Sequence, residues 1–251
     1  MSEIKNTVSP KIQNQDLKIL LWDIDGTLLQ STRSGGFKEY FAQALEKVYG
    51  TEGKISEVKA AGITDVQIVY QALKDDNFTI ESVVADLPEF MKAMCAEMRK
   101  YFDAHEKVYE ILPGAKEILR ATAENPRFAN ALLTGNVGCG AELKMKYIGI
   151  WDYFVDSPNA YGEISHERRD LAIKAGELFN ERYDFQFKPE QFIVIGDTPH
   201  DITAARHFGA KVICVATGRG VEREDLISNK PDALIENLGD TAAVLEILEK
   251  L

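Results

Sequence analysis

The sequence is poor in cysteine and contains no long apolar run. Its 251 residues include three cysteines, Cys95, Cys139 and Cys214, and none of them belongs to a Cys-x-x-Cys pair. An odd number of widely spaced cysteines argues against a disulfide framework and a zinc site, so we expect reduced thiols in a reducing compartment. No segment approaches the roughly 18 apolar residues of a membrane span, and the polar start of the chain has no signal-peptide pattern. We therefore expect a cytoplasmic protein without a membrane partner.

Positive charge is also scarce. Lys and Arg number 29 against 40 Asp and Glu, which gives a formal net charge of −11. The basic residues are scattered along the chain, whereas binding a nucleic-acid backbone requires a concentrated positive surface. No nucleic-acid partner is therefore expected. The hydrophobic share of 45% and the charged share of 27% are typical of a globular protein that buries its core without disulfides.

The apolar pattern divides the chain into a helical part and an alternating part. Residues 31–110 carry apolar residues at helical spacing, as at Phe37 and Phe41, and contain no convincing strand. After residue 110, short apolar strands alternate with helices, and one such strand is expected at 153–155. Alternation of this kind is typical of an α/β protein with a doubly wound, parallel, Rossmann-like sheet. The predicted division is a disordered lead at 1–17, an α/β core at 18–30 and 111–251, and a small all-helical domain at 31–110 inserted after the first strand.

Polar residues follow three of the predicted strands. Asp23 and Asp25 follow the first strand, Thr134 follows a later one, and Asp197 follows a third. Ligands of doubly wound sheets bind outside the carboxyl ends of the strands. These four side chains are therefore expected to meet at one edge of the sheet.

The segment Asp-Ile-Asp-Gly-Thr at 23–27 carries the most specific pattern in the chain. Side chains two residues apart on an extended segment point to the same side, so the two carboxylates repel each other and favour a bound cation. A carboxylate can also attack phosphorus and form an aspartyl-phosphate. A simple turn is the alternative, because Asp and Gly are common turn residues. The complete motif after an apolar strand favours the chemical interpretation.

These motifs, in this order, resemble those of the haloacid dehalogenase superfamily of phosphohydrolases. The resemblance spans about residues 18–220 and rests on four motifs. They are the segment 23–27, Thr134 at a strand end, a basic residue near the start of a helix at about 167, and the segment Gly196-Asp197-Thr198-Pro199-His200-Asp201.

The resemblance implies an enzyme that cleaves phosphomonoesters by way of an aspartyl-phosphate. Asp23 would be the nucleophile, and Asp25 would act as general acid and then as general base. Thr134 would donate a hydrogen bond to the phosphoryl group; the alternative for Thr134 is a helix N-cap. Gly135 and Asn136, which continue the second motif, would contact the substrate.

The resemblance also implies a magnesium ion. The Asp23 carboxylate, the Asp25 backbone carbonyl and Asp197 would bind it, because Mg²⁺ prefers oxygen ligands. Asp201 would contact the ion directly or lie one layer behind its ligands. The alternative for Asp201 is a negative charge that stabilises a helix N-terminus. Thr27, the last residue of the first motif, is a further candidate for substrate binding.

The third motif departs from the usual family pattern, which has a Lys that often precedes Pro. The stretch Ser165 to Leu171 contains Arg168 and Arg169 and no Lys-Pro. A guanidinium can hold a carboxylate and a phosphoryl oxygen at once through its forked donors. We predict that Arg168 is the basic residue of the site, with Arg169 and then Lys174 as alternatives.

In this family, an insertion after the first strand is a helical cap that closes over the site and excludes water. Thr64 and Asp65 lie in a loop that resembles the one pointing at the active site in relatives, so both are candidate substrate contacts. A simple helix N-cap is the alternative for them. A cap of this size, similar to that of phosphoglycolate phosphatase and β-phosphoglucomutase relatives, implies a small phosphorylated metabolite as substrate.

Other functions compete with a phosphomonoester hydrolase. A phosphomutase would pass the phosphoryl group between sugar hydroxyls, and no sequence feature separates it from a hydrolase. The intact Asp23, Asp25, Thr134 and Asp197 argue against a non-catalytic regulator that binds a phosphorylated metabolite. Asp25 argues against a dehalogenase, and no Lys in a recognisable context supports a phosphonate hydrolase. The oligomeric state stays open between monomer and homodimer.

Overall fold

The computed structural model describes residues 14–251, in which the chain forms seven β-strands, nine α-helices and several short 3-10 helices. The strands are β1 (Lys18–Trp22), β2 (Leu29–Ser31), β3 (Tyr109–Ile111), β4 (Phe128–Leu132), β5 (Phe192–Gly196), β6 (Lys211–Val215) and β7 (Ala233–Ile235). The α-helices are α1 (Phe37–Tyr49), α2 (Asp65–Leu73), α3 (Ile80–Ala104), α4 (Ala115–Glu124), α5 (Gly138–Tyr147), α6 (Arg168–Tyr183), α7 (Pro199–Phe208), α8 (Arg223–Ser228) and α9 (Thr241–Lys250). Most of the predicted lead, residues 1–13, lies outside the described residues.

Strand β1 forms the centre of the fold because its side chains are apolar on both sides. Ile19 and Leu21 point to one face of the sheet, and Leu20 and Trp22 point to the other. All four are completely buried. A strand buried on both faces requires a layer of helices on each side of the sheet.

The main sheet has the strand order β4-β1-β5-β6-β7. Every neighbouring pair is parallel, and Trp22 at the end of β1 lies beside Leu132 of β4 and Ile195 of β5. The predicted doubly wound parallel sheet is confirmed. The strand order reverses around β1, and this reversal is where ligands bind in such sheets.

Helices cover both faces of the sheet. On the face of Leu20 and Trp22, helices α4 and α9 contribute Ile118 and Leu248 to the core. On the opposite face, α6 and α7 contribute Leu171 and Ile202. Among the described helices, none is long and apolar enough to cross a membrane.

Residues 32–108, which we call the helical segment, contain α1, α2 and α3. Helix α1 packs on α3, and the rings of Phe41 and Phe90 lie 5.6 Å apart. Both rings belong to the same buried cluster as Leu20 and Trp22 of the central strand. The all-helical insertion after the first strand is confirmed, and its core is continuous with that of the sheet.

A two-stranded antiparallel ribbon joins the helical segment to the rest of the fold. Strands β2 and β3 pair Leu29 with Ile111 and Ser31 with Tyr109. The prediction that 31–110 contains no strand is therefore wrong at its two ends. Three residues per strand are too few to show a clear alternation of apolar and polar side chains.

The strand predicted at 153–155 is not formed. Residues Trp151–Tyr153 form a 3-10 helix instead. The position beside the end of β4 is taken by Ala160, which forms a parallel bridge with Leu133. Phe154 is completely buried, but the conformation of this short apolar run depends on a distant partner.

The expectation of three reduced cysteines is wrong. Cys95 of α3 and Cys139 of α5 form a disulfide, with Cα atoms 6.3 Å apart and a sequence separation of 44. Cys214 of β6 is buried and free. The pairing follows from the packing of α3 against α5, which the spacing of the cysteines does not reveal. The bridge ties the helical segment covalently to a helix of the sheet layer.

Candidate active site

The three predicted strand ends meet at one edge of the sheet. Asp23 directly follows β1, and its backbone N–H donates to the Ile195 carbonyl at 2.9 Å. Asp197 directly follows β5, and Thr134 follows β4 by two residues. All three side chains are buried. Because β4, β1 and β5 are adjacent and parallel, their carboxyl ends bring these residues together.

Three carboxylates converge at this edge. Asp23, Asp197 and Asp201 each offer an oxygen within 4.8 Å of the others. Arg168 joins them, with Nη2 2.9 Å from Asp23 Oδ1 and 2.5 Å from Asp201 Oδ1. We call these four residues the acidic cluster. When ionised, the carboxylates outnumber the guanidinium and leave an uncompensated negative charge, which a divalent cation with oxygen ligands would balance.

The pKa values in the acidic cluster are shifted by burial first and by the neighbouring charges second. Burial raises the pKa of Asp23 to about 6; Arg168 opposes this shift, while Asp201 and Asp25 add to it. Burial, together with Asp23 and Asp201, raises the pKa of Asp197. Burial disfavours the charged form of Arg168, but its two carboxylate partners outweigh burial and raise the pKa of the guanidinium.

Arg168, and not Arg169, lies in the acidic cluster. Its side chain is 6% exposed, whereas that of Arg169 is 53% exposed and lies 3.7 Å from Glu167. The alternative Lys174 is also at the surface, paired with Glu177. Arg168 opens helix α6, and its position one residue earlier than Arg169 directs it at the end of β1.

Asp197 is held in a narrow cradle. The Thr27 hydroxyl donates to Asp197 Oδ1 at 3.0 Å. A Cβ atom placed on Gly26 or Gly218 would lie 2.2 Å from Asp197 Oδ2, so two backbone segments approach this carboxylate as only glycine allows. The structure therefore places Thr27, a predicted substrate contact, against the predicted metal ligand Asp197.

Both carboxylate oxygens of Asp201 accept hydrogen bonds. Oδ1 accepts from Arg168, and Oδ2 accepts from the backbone N–H and hydroxyl of Thr198 at 3.0 and 2.8 Å. Asp201 and Thr198 form a capping box at the start of α7. This geometry combines both sequence alternatives, because Asp201 caps the helix and also anchors Arg168 behind the other carboxylates.

The loop after β4 presents a hydroxyl to the site. Thr134 Oγ1 accepts hydrogen bonds from the backbone N–H and the side-chain Nδ2 of Asn136, at 3.2 and 2.8 Å. Neither contact uses the hydrogen of this hydroxyl, and the Thr134 side chain lies fully buried directly behind the cavity wall. Gly135 permits close approach of the helical segment, since a Cβ there would lie 2.3 Å from the Ile63 carbonyl oxygen.

Asp25 belongs to a second polar group. Its Oδ2 accepts from Asn136 Nδ2 at 2.8 Å and from Lys144 Nζ at 2.6 Å, and Lys144 also donates to Asn136 Oδ1 at 2.6 Å. We call these three residues the lysine cluster. Asn136, which was predicted to bind substrate, is thus hydrogen-bonded to Asp25, the predicted general acid and general base.

Lys144 was not predicted from the sequence, although a signal is present. Ala141, Lys144, Met145 and Ile148 have the spacing of one helical face, and Ala141 and Met145 are completely buried. A Lys within an apolar stripe requires a partner. Burial disfavours the charged form of Lys144, but Asp25 and other nearby acidic groups raise the pKa of its ammonium.

The helical segment reaches the site through Thr64 and Asp65. The Thr64 hydroxyl accepts from the Gln67 N–H at 3.2 Å, so Thr64 is the N-cap of α2. Asp65 Oδ2 accepts from the Val137 N–H at 2.8 Å, and the Asp65 N–H donates to the Gly135 carbonyl at 2.8 Å. These contacts clamp the segment onto the loop after β4.

A cavity of about 210 Å³ lies between the helical segment and the edge of the sheet. Its polar side is formed by both clusters. Its apolar side comes from the helical segment, with Phe41, Ile68 and Met94 among the lining residues, and Asp65 also lines it. Thr27, Thr64, Thr134 and Asp201 are fully buried behind the wall. The arrangement can hold a small molecule with a charged end and a less polar body.

Comparison with known proteins gives a consistent picture. Residues 17–209 match the family model described as haloacid dehalogenase-like hydrolase. The chain is similar to a phosphoglycolate phosphatase of Vibrio vulnificus, with 24% identity over 92% of this chain and 97% of the relative. It is also similar to a pyrophosphatase of Anoxybacillus flavithermus, with 24% identity over 94% of this chain and the whole relative. Among solved structures, a β-phosphoglucomutase of Clostridium difficile shares the fold with a TM-score of 0.63 and 17% identity, covering 93% of this chain and 98% of that one.

Proposed function

The chain belongs to the haloacid dehalogenase-like hydrolase family, and from this membership we propose that it is a Mg²⁺-dependent phosphatase that hydrolyses a small phosphorylated metabolite through an aspartyl-phosphate at Asp23. The acidic cluster carries the proposal. It places a buried carboxylate directly after the central strand, beside Arg168 and within 4.8 Å of two further carboxylates. A carboxylate in this position can attack phosphorus once its charge is balanced.

The proposed reaction has two steps. First, an Asp23 carboxylate oxygen attacks phosphorus, the bond from phosphorus to the substrate oxygen breaks, and that oxygen takes a proton from Asp25. Second, Asp25 takes a proton from water, and the water oxygen attacks the same phosphorus. The bond between phosphorus and Asp23 then breaks, which releases inorganic phosphate and restores the Asp23 carboxylate.

The acidic cluster fits a magnesium ion. The Asp23 and Asp197 carboxylates and the Asp25 backbone carbonyl would bind it, and Asp201 would support the site through Arg168. The negative charge in excess of Arg168 and the glycine cradle around Asp197 favour a small cation with oxygen ligands. When bound, the ion would neutralise charge between the phosphoryl group and the carboxylates.

Thr134 and Arg168 are proposed to orient the phosphoryl group. The Thr134 hydroxyl has its hydrogen available because both contacts to Asn136 use its oxygen as acceptor. Arg168 presents a forked donor whose Nε, among the described residues, has no hydrogen-bond partner. Gly135 supports the site by allowing the helical segment to approach.

The helical segment is proposed to act as a cap over the substrate. It supplies the apolar side of the cavity and contacts the loop after β4 through Asp65. The modest cavity and the relatives named phosphoglycolate phosphatase support a small phosphorylated metabolite. We propose a cytoplasmic location from the sequence pattern, although the Cys95–Cys139 disulfide is atypical of that compartment. Either a monomer or a homodimer is compatible with a site built from one chain.

The proposal is tested by phosphate release from p-nitrophenyl phosphate with and without Mg²⁺. We expect turnover by the wild type that disappears with a chelator and returns with added Mg²⁺, and no turnover by Asp23→Asn. Turnover by Asp23→Asn, or turnover independent of metal, would refute the mechanism. A screen of phosphorylated metabolites, with phosphate release and sugar-phosphate isomerisation measured in parallel, separates a hydrolase from a phosphomutase.

A further inference from the structure

Lys144 is a buried cation outside the four motifs. It lies on α5, its side chain is 8% exposed, and its Nζ is 2.6 Å from Asp25 Oδ2. Removing an ammonium from water is unfavourable unless it is paired and hydrogen-bonded. Here both conditions are met, and the partner is the carboxylate that exchanges protons in the proposed function, on which this inference rests.

The lysine cluster is a closed ring of hydrogen bonds. Lys144 bonds to Asp25 and Asn136, and Asn136 Nδ2 bonds to Asp25 at 2.8 Å. Lys144 and Asn136 both donate to the same oxygen, Oδ2. No donor within residues 14–251 is bonded to the other oxygen, Oδ1. The two oxygens of Asp25 are therefore not equivalent.

We propose that Lys144 is a positioning residue that, together with Asn136, fixes Asp25 so that Oδ1 is the oxygen that exchanges protons with the leaving group and with water. Two N–H donors occupy the lone pairs of Oδ2, so a proton on Asp25 resides on Oδ1. The Asp25 side chain is 45% exposed and lines the cavity. Lys144, which also lines the cavity, acts in this proposal through Asp25.

Fixing one oxygen matters because proton transfer requires a short, aligned contact with the leaving oxygen. Without Lys144, rotation of the Asp25 carboxylate about its terminal torsion would exchange the two oxygens, since that torsion is broad. Loss of Lys144 should then slow the release of a leaving group more when that leaving group must be protonated to depart. A residue that only stabilises the fold would affect all substrates alike.

The test compares two substrates of nearly equal size, p-nitrophenyl phosphate and phenyl phosphate, in a single turnover with Mg²⁺. Nitrophenolate is a weak base and leaves without a proton, whereas phenolate is a stronger base and leaves more readily with one. In Lys144→Met we expect the first-turnover rate for phenyl phosphate to fall about 100-fold, and that for p-nitrophenyl phosphate to fall less than about tenfold. Because the first turnover reports leaving-group release, slow phosphoenzyme hydrolysis does not mask the difference.

Lys146→Met is the matched control, because Lys146 lies on the same helix and is exposed, with Glu142 as its partner. It should leave both rates unchanged. Lys144→Gln provides a second variant if Lys144→Met does not fold, and it should show the same selective loss. Equal losses for the two substrates, or no loss, would overturn the proposal. Absence of Asp23-dependent turnover in the wild type would instead refute the proposed function, and the inference with it.

Discussion

The acidic cluster and the lysine cluster give the carboxylates of Asp23 and Asp25, two residues of one motif, opposite electrostatic environments. The Asp23 side chain is 5% exposed, and its only cationic neighbour among the described residues, Arg168, is shared with Asp201. The Asp25 side chain is 45% exposed and has an ammonium as a direct partner. The first environment keeps negative charge in excess, and the second balances it. Two identical side chains can thus take different chemical roles because of the cations placed beside them.

The largest effect is expected from removing charge in the acidic cluster. In Asp197→Asn, phosphatase turnover should fall by about 10³-fold, since several kcal/mol of charge stabilisation in the transition state is lost. Mg²⁺ should also no longer raise the midpoint of thermal unfolding. Asp225→Asn, on the exposed helix α8, is the control and should retain both properties. Wild-type turnover by Asp197→Asn would mean that the charge excess has no role in catalysis.

Removing the cation of the acidic cluster should destabilise the fold. In Arg168→Met, buried carboxylates lose their partner, and we expect the free energy of unfolding to fall by about 3–5 kcal/mol in metal-free buffer. Urea denaturation measures the change. Arg169→Met, at an exposed neighbouring position, should change the free energy of unfolding by less than about 0.5 kcal/mol. Equal stability of the two variants would show that the cluster does not depend on its guanidinium.

The lysine cluster differs from the acidic cluster in its link to the disulfide, because Lys144 and Cys139 share α5. Reduction of Cys95–Cys139, which spans 44 residues, should lower the free energy of unfolding by at most about 4 kcal/mol according to the loop-entropy model. Urea denaturation with and without a thiol reductant measures this. A double variant, Cys95→Ser with Cys139→Ser, should be insensitive to the reductant. A wild type that is equally insensitive would show that the bridge does not contribute.

An effect that depends on pH is expected at Asp65, beside the lysine cluster. Burial raises the pKa of Asp65 to about 7, although Lys144 opposes the shift. Because the folded-state pKa lies above the unfolded value near 4, the ionised form opposes folding, and stability is lost as pH rises from about 4 to 7. Asp65→Asn should therefore be more stable than the wild type at pH 8, by up to about 4 kcal/mol. The difference should vanish near pH 4; a difference independent of pH would contradict the assignment to Asp65.

The sheet and its polar edge could be predicted from the sequence because both depend on local pattern. The apolar run before Asp23 indicates a buried strand, and the polar residues at 134 and 197 follow strands of the same kind. Parallel strands place such residues at one edge whatever the details of packing. Arg168 was preferred to Arg169 by resemblance, because Arg-x-acid-Leu at the start of the helix is similar to the pattern of relatives that carry Arg in the third motif.

The features that sequence reasoning missed depend on contacts between distant elements. The disulfide requires α3 to pack on α5, and the strand predicted at 153–155 is absent because Ala160 occupies the neighbouring position. The sequence indicates a surface position for Lys144 unless the apolar face of helix α5, on which it lies, is recognised. Thr27 was predicted to contact substrate, whereas its hydroxyl donates to Asp197, a residue 170 positions later in the sequence.

The antiparallel ribbon has a consequence for how such a protein can diversify. Its strands β2 and β3 carry the chain out to the helical segment and back along adjacent paths, with Leu29 opposite Ile111 and Ser31 opposite Tyr109. The two ends of the 77-residue excursion at 32–108 are therefore held side by side, independently of what lies between them. An insertion with paired ends can change in length at positions outside its shared core without moving the sheet edge that carries Asp23. The ribbon therefore fixes the two points at which the helical segment leaves and rejoins the sheet layer.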